Sequence, residues 1–475
     1  MAAMLDGKEV ARHNSRESCW IAVLGKVYDV TDFLNEHPGG ARAILKCAGR
    51  DATDDYMAIH APELLEETLP QSSFRGLVDS STLQKPEQKM VTAAKDQETT
   101  GPPPLSSMIN IRDFEAVAEK HLPANAWAYY AAGADDELTK IENEKAYRKV
   151  SLRGRILRNV SSIDTSTKIL GKPVSLPVYI SAVGIAKFAH PQGECTLAAA
   201  AGKEGLAQLV ATRSSMSIES IMKARTRQDQ PIFSQLYVQK DMAQSEAFIR
   251  RVEKAGASAI WLTVDSPVTG KRERDERLKA QVDVGEQNNE EIGNREVQGI
   301  AKTLQSSVSA ALDWGTIAWI RNITKLPLVI KGIQCVEDAV LAYKHGVQGI
   351  VLSNHGGRSQ DTSQPPLLTL LEIRKYAPEI IGKKMEIYID GGIRRGTDVI
   401  KALALGATAV GLGRPFLYSM AARYGEEGVR KLVQILREEI ETNMALIGAT
   451  KLSELEPSMV NTAKLERDLY TFPKL

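Results

Sequence analysis

The stretch PLVIKGIQCVEDAVLAYKHGVQGIVLSNHGGR (327–358) holds two short apolar runs, PLVIKG (327–332) and GIVLSN (349–354), separated by a helical stretch. Both runs are almost continuously apolar, as strands buried on both faces are. The same alternation recurs outward in both directions. PVYISA (177–182), AQLVAT (207–212), PIFSQLYV (231–238) and AIWLTVD (259–265) lie before it, and EIYIDGG (386–392) and AVGLGR (409–414) after it. Eight strand–helix units predict an α/β fold, a closed (β/α)8 TIM barrel. A doubly wound open sheet is the rival, but no GxGxxG fingerprint follows a first strand. One gap is long, and its polar segment QVDVGEQNNEEIGNREVQG (281–299) reads as a surface loop. Two short helices are expected ahead of the barrel, around 111–121 and 124–132, the second ended by Gly133 as a C-cap.

In such a barrel the chemistry sits where the strands end. Those ends carry Gln235, Tyr237, Thr263, Asp265, Lys331, Ser353, His355, Asp390 and Arg414. A structural protein has no reason to put polar groups where they must be paired or desolvated, so the clustering argues for an enzyme. His355 is a candidate base, and Arg358 offers a planar fork that matches a carboxylate. Asp265 could hold the imidazole and favour its protonated form, and Lys331 could stabilise negative charge on a reduced ring system. DGGIRRGTD (390–398) and GRP (413–415) make Gly-rich basic loops at the usual phosphate position. Taken singly, Tyr129 or Thr263 reads as packing, Arg272 as a solvated charge, and Gly391 or Gly392 as a turn residue. His121, His190 and His345 read as structural.

Residues 1–77 form a separate segment, followed by a linker, 78–107, whose Pro/Ser/Thr-rich part is SSTLQKPEQKMVTAAKDQETTGPPPLSS (80–107). The barrel part spans 108–475. In the first segment His37-Pro38-Gly39-Gly40 is followed by Gly49-Arg50-Asp51-Ala52-Thr53 and then His60. Two imidazoles on separate loops can clamp an iron from opposite faces, leaving it only electron transfer to do. Either histidine alone reads more readily as an ordinary surface residue.

Trp20, VYDVTDF (27–33), HPGG and His60 fall in the order of the cytochrome b5 family, which the segment resembles. The resemblance implies a small α+β domain holding haem b, with His37 and His60 as axial ligands of its iron. From about 111 to about 450, the motifs YYAAGADDE, QLYV, TVDSPVTGKRE, LVIKG, SNHGGR, DGGIRRG and GRP resemble the FMN-dependent 2-hydroxy-acid dehydrogenase family. That resemblance implies oxidation of an L-2-hydroxy acid, L-lactate to pyruvate, with FMN. Single electrons would then pass to haem b and on to cytochrome c or a similar one-electron acceptor. It assigns His355 as base, Asp265 as its partner, and Arg358, Arg272 and Tyr129 to the substrate carboxylate. Tyr237 falls to the substrate hydroxyl. Ser181, Ala182, Val183, Gly184, Ala211, Gln235, Thr263, Lys331 and Ser353 fall to the flavin and ribityl. Asp390, Gly391, Gly392, Arg394, Gly413 and Arg414 fall to the ribityl and phosphate. It also implies a homotetramer.

Three positions depart from the family pattern: Gly184 for an Ala beside the flavin, Ala211 for a flavin-contacting Ser, and Arg213 for a Leu or aromatic lining the substrate side chain. They keep open an oxidase that uses oxygen, and a substrate whose second acidic group Arg213 would bind. Arg213 could equally point to solvent.

A formal net charge of +1 gives no reason to expect a nucleic-acid partner. No apolar run is long enough to span a bilayer, so no membrane partner is expected. The four scattered cysteines (Cys19, Cys47, Cys195 and Cys335) form no CxxC pair and read as reduced thiols. The acidic amino terminus lacks the look of a transit peptide, so the expected compartment is the cytoplasm. The mitochondrial intermembrane space remains an alternative by family, and the peroxisome by the loose likeness of Pro473-Lys474-Leu475 to Ser-Lys-Leu.

Overall fold

The computed structural model describes residues 4–37, 41–57, 60–62, 64–79, 82–83, 101–278, 300–305 and 307–471. Pro38-Gly39-Gly40, most of the linker, the segment 281–299 expected as a surface loop and residues 472–475 lie outside the described residues. The chain divides into two compact units, principally Met1–Gly101 and the residues beyond it.

The small unit is built on four strands, β1 (Met4–Leu5), β2 (Trp20–Val23), β3 (Lys26–Asp29) and β4 (Phe74–Val78), in the order β1-β4-β3-β2. Leu24 and Gly25 join β2 to β3 with φ of 51° and 76°. Two successive left-handed residues give the tight turn whose twist suits a hairpin. The short helices Ala41–Leu45, Thr53–Met57 and Leu64–Thr68 follow, and Leu34, Ile44, Leu65 and Leu69 pack beneath them. Cys19 and Cys47 are buried in this core and all four cysteines are free thiols.

The large unit holds eight parallel strands: β5 (Val178–Ile180), β6 (Ala207–Val210), β7 (Ile232–Leu236), β8 (Ile260–Thr263), β9 (Leu328–Ile333), β10 (Gly349–Leu352), β11 (Glu386–Asp390) and β12 (Ala409–Leu412). Each pairs with the next, and β12 pairs with β5 to close the barrel. Every apolar run named from the sequence is one of these strands.

Side chains alternate along a strand with a period of two, so an inward residue is followed two positions later by another. Tyr179, Phe233, Trp261, Val329, Val351 and Tyr388 form one inner layer. Its aromatic rings pack closely, Phe233 against Trp261 at 5.3 Å and Trp261 against Tyr388 at 5.0 Å. Two residues further on stand Ser181, Gln235, Thr263, Lys331, Ser353 and Asp390. The apolar layer is the barrel's floor, and the polar layer above it follows from the strand period alone.

The structure corrects one expectation. The helix Ala124–Ala131 does end where expected, but its C-cap is Ala132 in extended backbone, and Gly133 is not left-handed. Gly133 instead makes room for a distant chain segment: a Cβ there would stand 3.1 Å from the Gly357 carbonyl oxygen.

Candidate active site

β10 ends one residue before Ser353, and the chain turns at once through His355, Gly356 and Gly357, all with positive φ (59°, 65° and 76°). His355 is the costly member, because a side chain there is strained. The turn aims the ring back over the polar layer. Its Nδ1 lies 2.8 Å from Asp265 Oδ1, and the Tyr237 hydroxyl lies 3.4 Å from Nε2. With Nδ1–H donating to Asp265, Nε2 is left as the basic nitrogen. Burial pushes the imidazole below its usual pKa, Asp265 opposes that, and the Lys331 and Arg272 cations add to it. The carboxyl of Asp265 is resisted by burial, yet His355 and Lys331 hold it down to about 2. It therefore stays charged as the ring's fixed partner.

Lys331 is 5% exposed. Its Nζ donates to Ser353 Oγ at 2.9 Å and stands 3.3 Å from Asp390 Oδ2 and 3.7 Å from Asp265 Oδ2. Burial opposes this cation, but the two carboxylates outweigh it and its pKa is raised. The pairing with Asp265 depends on Gly332. The β9–β10 register slips there, φ is 113°, and a Cβ would stand 2.5 Å from Asp265 Cβ.

Two guanidiniums face the same space. Arg358 Nη1 donates to the carbonyls of Tyr129, Tyr130 and Ala132 at 2.9, 2.9 and 3.1 Å. The Tyr129 ring lies beneath the guanidinium, with 5.1 Å from Cζ to the ring centre. Nη2 and Nε of Arg358 bond to none of the described residues, so one edge of the fork is open to a bidentate carboxylate. Arg272 is buried, and burial together with the like charge of Arg358 pulls its pKa down to about 9. An arriving carboxylate relieves that repulsion.

The polar layer fits FMN. Gln235 Nε2 and Thr263 Oγ1 are buried with no hydrogen-bond partner among the described residues, a state that is costly unless a polar ligand completes it. Ser181 Oγ lies 3.5 Å from Asp390 Oδ2, and Ala182, Val183 and Gly184 follow Ser181 along one rim. Ala211 is buried at another strand end. At the phosphate end, Gly413 caps the helix Arg414–Met420. Gly391 and Gly392 are both left-handed. A Cβ at Gly392 would stand 2.3 Å from the Asn143 carbonyl oxygen, so this glycine admits a neighbouring helix.

The Arg394 and Arg414 side chains are turned to protein acceptors. Arg394 Nη2 stands 3.2 Å from Glu144 Oε1, and Arg414 donates to the carbonyls of Tyr130, Gly356 and Ala132. Arg213 is turned to a neutral acceptor, with Nη2 at 2.5 Å from Ser307 Oγ.

Three residues not singled out from the sequence belong to this arrangement. Ser266 Oγ lies 3.4 Å from both Asp265 Oδ1 and His355 Nδ1. Its only signal was adjacency to Asp265. Thr212 donates its hydroxyl to the Gln235 carbonyl and its N–H to Gln235 Oε1. Asp361 accepts N–H groups of Asp136, Leu138 and Thr139, pinning the helix Leu138–Arg148 to the loop that carries His355. His190 bonds to Thr196 of the helix Gly193–Glu204 that follows it, and His345 stacks on Trp314, so both are structural.

In the small unit each histidine closes a turn of its own: the His37 N–H bonds to the Phe33 carbonyl and the His60 N–H to that of Tyr56. The two ring centres are 6.1 Å apart. An ion bonded to one nitrogen of each ring at about 2 Å fits that separation. Phe33 beside His37 and Tyr56 beside His60 both pack against the apolar cluster that includes Leu34, Ile44 and Leu65, which suits the flat face of a haem.

Residues 6–79 match the family described as cytochrome b5-like haem/steroid binding domain, and residues 118–462 match the FMN-dependent dehydrogenase family. The chain is 43% identical over 458 residues to an L-lactate dehydrogenase (cytochrome) of Wickerhamomyces anomalus, covering 96% of this chain and 79% of that protein. It is 40% identical over 471 residues to the Saccharomyces cerevisiae protein of the same description, covering 96% and 80%. Among solved structures, a double mutant of flavocytochrome b2 with pyruvate bound superimposes with a TM-score of 0.70 at 40% identity, over 78% of this chain and 91% of that one. The chain therefore belongs to the FMN-dependent dehydrogenase family, in the branch that joins an FMN barrel to a cytochrome b5-like haem domain.

Proposed function

We propose that the barrel oxidises L-2-hydroxy acids, L-lactate to pyruvate among them, and that the electrons leave singly through the haem domain to a cytochrome c or similar acceptor. One observation carries this reading. A half-buried imidazole, oriented by a charged carboxylate, stands beside two guanidiniums, one with an open edge. That set binds a carboxylate and removes a proton next to it.

The open edge of Arg358, supported by Arg272, binds the substrate carboxylate and fixes the position of C2. The Tyr237 hydroxyl, beside His355 Nε2, holds the substrate hydroxyl. His355 Nε2 accepts the proton, and Asp265 stabilises the imidazolium that results. Lys331 offsets negative charge in the polar layer, where low dielectric makes its charge effective. When bound, FMN supplies two-electron acceptance and haem b one-electron transfer. Assembly as a homotetramer belongs to the same reading, on family analogy alone.

The test compares two acceptors with L-lactate as donor. Purified holoenzyme is expected to reduce cytochrome c much faster than it consumes oxygen. Oxygen consumption that outpaces cytochrome c reduction would make the protein an oxidase with an accessory haem domain.

A further inference from the structure

Among the described residues, Arg213 has no carboxylate partner. Its Nη2 donates to Ser307 Oγ at 2.5 Å and lies 3.4 Å from Gln239 Oε1, both neutral acceptors. Ser307 in turn donates to Gln239 Oε1 at 2.7 Å, so this pair is a fixed cradle. The Nε of Arg213 is buried and has no partner among the described residues. Burial works against the cation, and the groups acting in its favour are the Tyr237 and Tyr129 phenols, with no carboxylate. A guanidinium buried without an anion is costly, and removing its counter-ion from such a site is destabilising.

The two phenols also place the charge. Tyr237 stands over His355 Nε2, and the Tyr129 ring lies under Arg358. Thr212, next to Arg213, accepts the Tyr237 N–H at 2.9 Å, and the cradle residue Gln239 donates to the Tyr237 carbonyl at 3.1 Å, so Arg213 lies beside the strand end that carries Tyr237. Its backbone is fixed there too. The Arg213 carbonyl accepts the Ile185 N–H, and a Cβ on Gly184 would stand 3.0 Å from that carbonyl oxygen. The rim at Gly184 thus lies against the Arg213 main chain.

From this we infer that Arg213 is the counter-ion of a second carboxylate on the substrate, so that the site takes L-2-hydroxy dicarboxylates as a further substrate class. This rests on the function proposed above and narrows it. Oxidation of the 2-hydroxy diacid to the 2-oxo diacid releases two protons, the first taken by His355 Nε2 and the second leaving to solvent, and two electrons, which leave singly to the one-electron acceptor proposed above. The second carboxylate takes part in no bond change. Arg358 and Arg272 hold the reacting end, and Arg213 holds the far end, which selects the substrate.

The test measures kcat/KM of the holoenzyme for L-lactate, L-malate and L-2-hydroxyglutarate, in the native protein and in Arg213→Leu and Arg213→Lys. For at least one diacid, the ratio to L-lactate is expected to exceed one in the native protein. In Arg213→Leu that ratio should fall by about 10²-fold or more, as loss of a buried ion-pair partner does, and Arg213→Lys should recover part of it. A second measurement needs no variant: glutarate should inhibit the native enzyme more strongly than butyrate. A ratio that Arg213→Leu leaves unaltered, or equal inhibition by the two acids, overturns the inference. If L-lactate reduces the flavin and neither diacid does, only this inference fails. If no 2-hydroxy acid reduces it, the proposed function itself fails.

Discussion

Replacing His355 with Gln is expected to lower the rate of flavin reduction by L-lactate by about 10²–10⁴-fold, the range for loss of a positioned base. The amide keeps the ring's approximate volume and one donor toward Asp265, so flavin content should stay near that of the native enzyme. Stopped-flow reduction under anaerobic conditions reads the step directly. The pH dependence separates a lost base from a lost shape. Nε2 must be unprotonated to work, and burial holds the ring's pKa below its ordinary value of 6.5. Native kcat/KM is therefore expected to be level at neutral pH and to fall with acid only below about 6.5. The Gln variant has no such group, so its residual rate should lack this acid limb. A variant that stays within a few fold of native would remove His355 from the chemistry.

Lys331→Met is expected to have the largest effect on stability. The ammonium is the shared partner of Asp265 and Asp390, at 3.7 and 3.3 Å. Methionine fills the space but leaves two buried carboxylates facing each other. Breaking a buried pair in this way costs about 3–5 kcal/mol. The sign with pH follows. In the native protein Asp265 is held at about 2, below its usual 3.8, so its contribution to stability is present above about pH 4 and lost as pH falls toward 2. In the variant Asp265 loses one of the two cations that hold its carboxyl down against burial, so the deficit is greatest at neutral pH and shrinks as acid protonates that group. Thermal melts of both proteins at several pH values check this, and an equal melting temperature at pH 7 would mean the cluster is not coupled.

The barrel was legible because strands buried on both faces carry few polar residues, most of them near the strand ends, and all eight runs formed strands. The polar layer was legible for the same reason: a polar residue at the end of such a run has a chemical role or none. What sequence could not carry was contact between distant segments. Gly133 read as a helix stop because glycine commonly is one; its real neighbour is the Gly357 carbonyl, more than two hundred positions away. Asp361 looked like any loop acid, yet it caps a helix that starts far upstream. Ser266 and Thr212 contact the candidate base, its carboxylate partner and the candidate flavin-binding Gln235 through bonds that the sequence reading did not single out. The arginines Arg394 and Arg414 were legible as basic residues, but not the acceptors to which they turn. The bulge at Gly332 shows the same limit, since its need arises only where Asp265 crosses from β8.

The central claim is that His355, Arg358 and Lys331 converge above the barrel floor on a bound flavin whose electrons reach a haem held by His37 and His60. An absorbance spectrum of the purified protein, taken before and after anaerobic addition of L-lactate, tests it most directly. The account expects flavin and haem bands at the start, then bleaching of the flavin together with the sharpened bands of reduced haem. A preparation that is colourless, or one whose coloured bands are unmoved by any L-2-hydroxy acid, would contradict it.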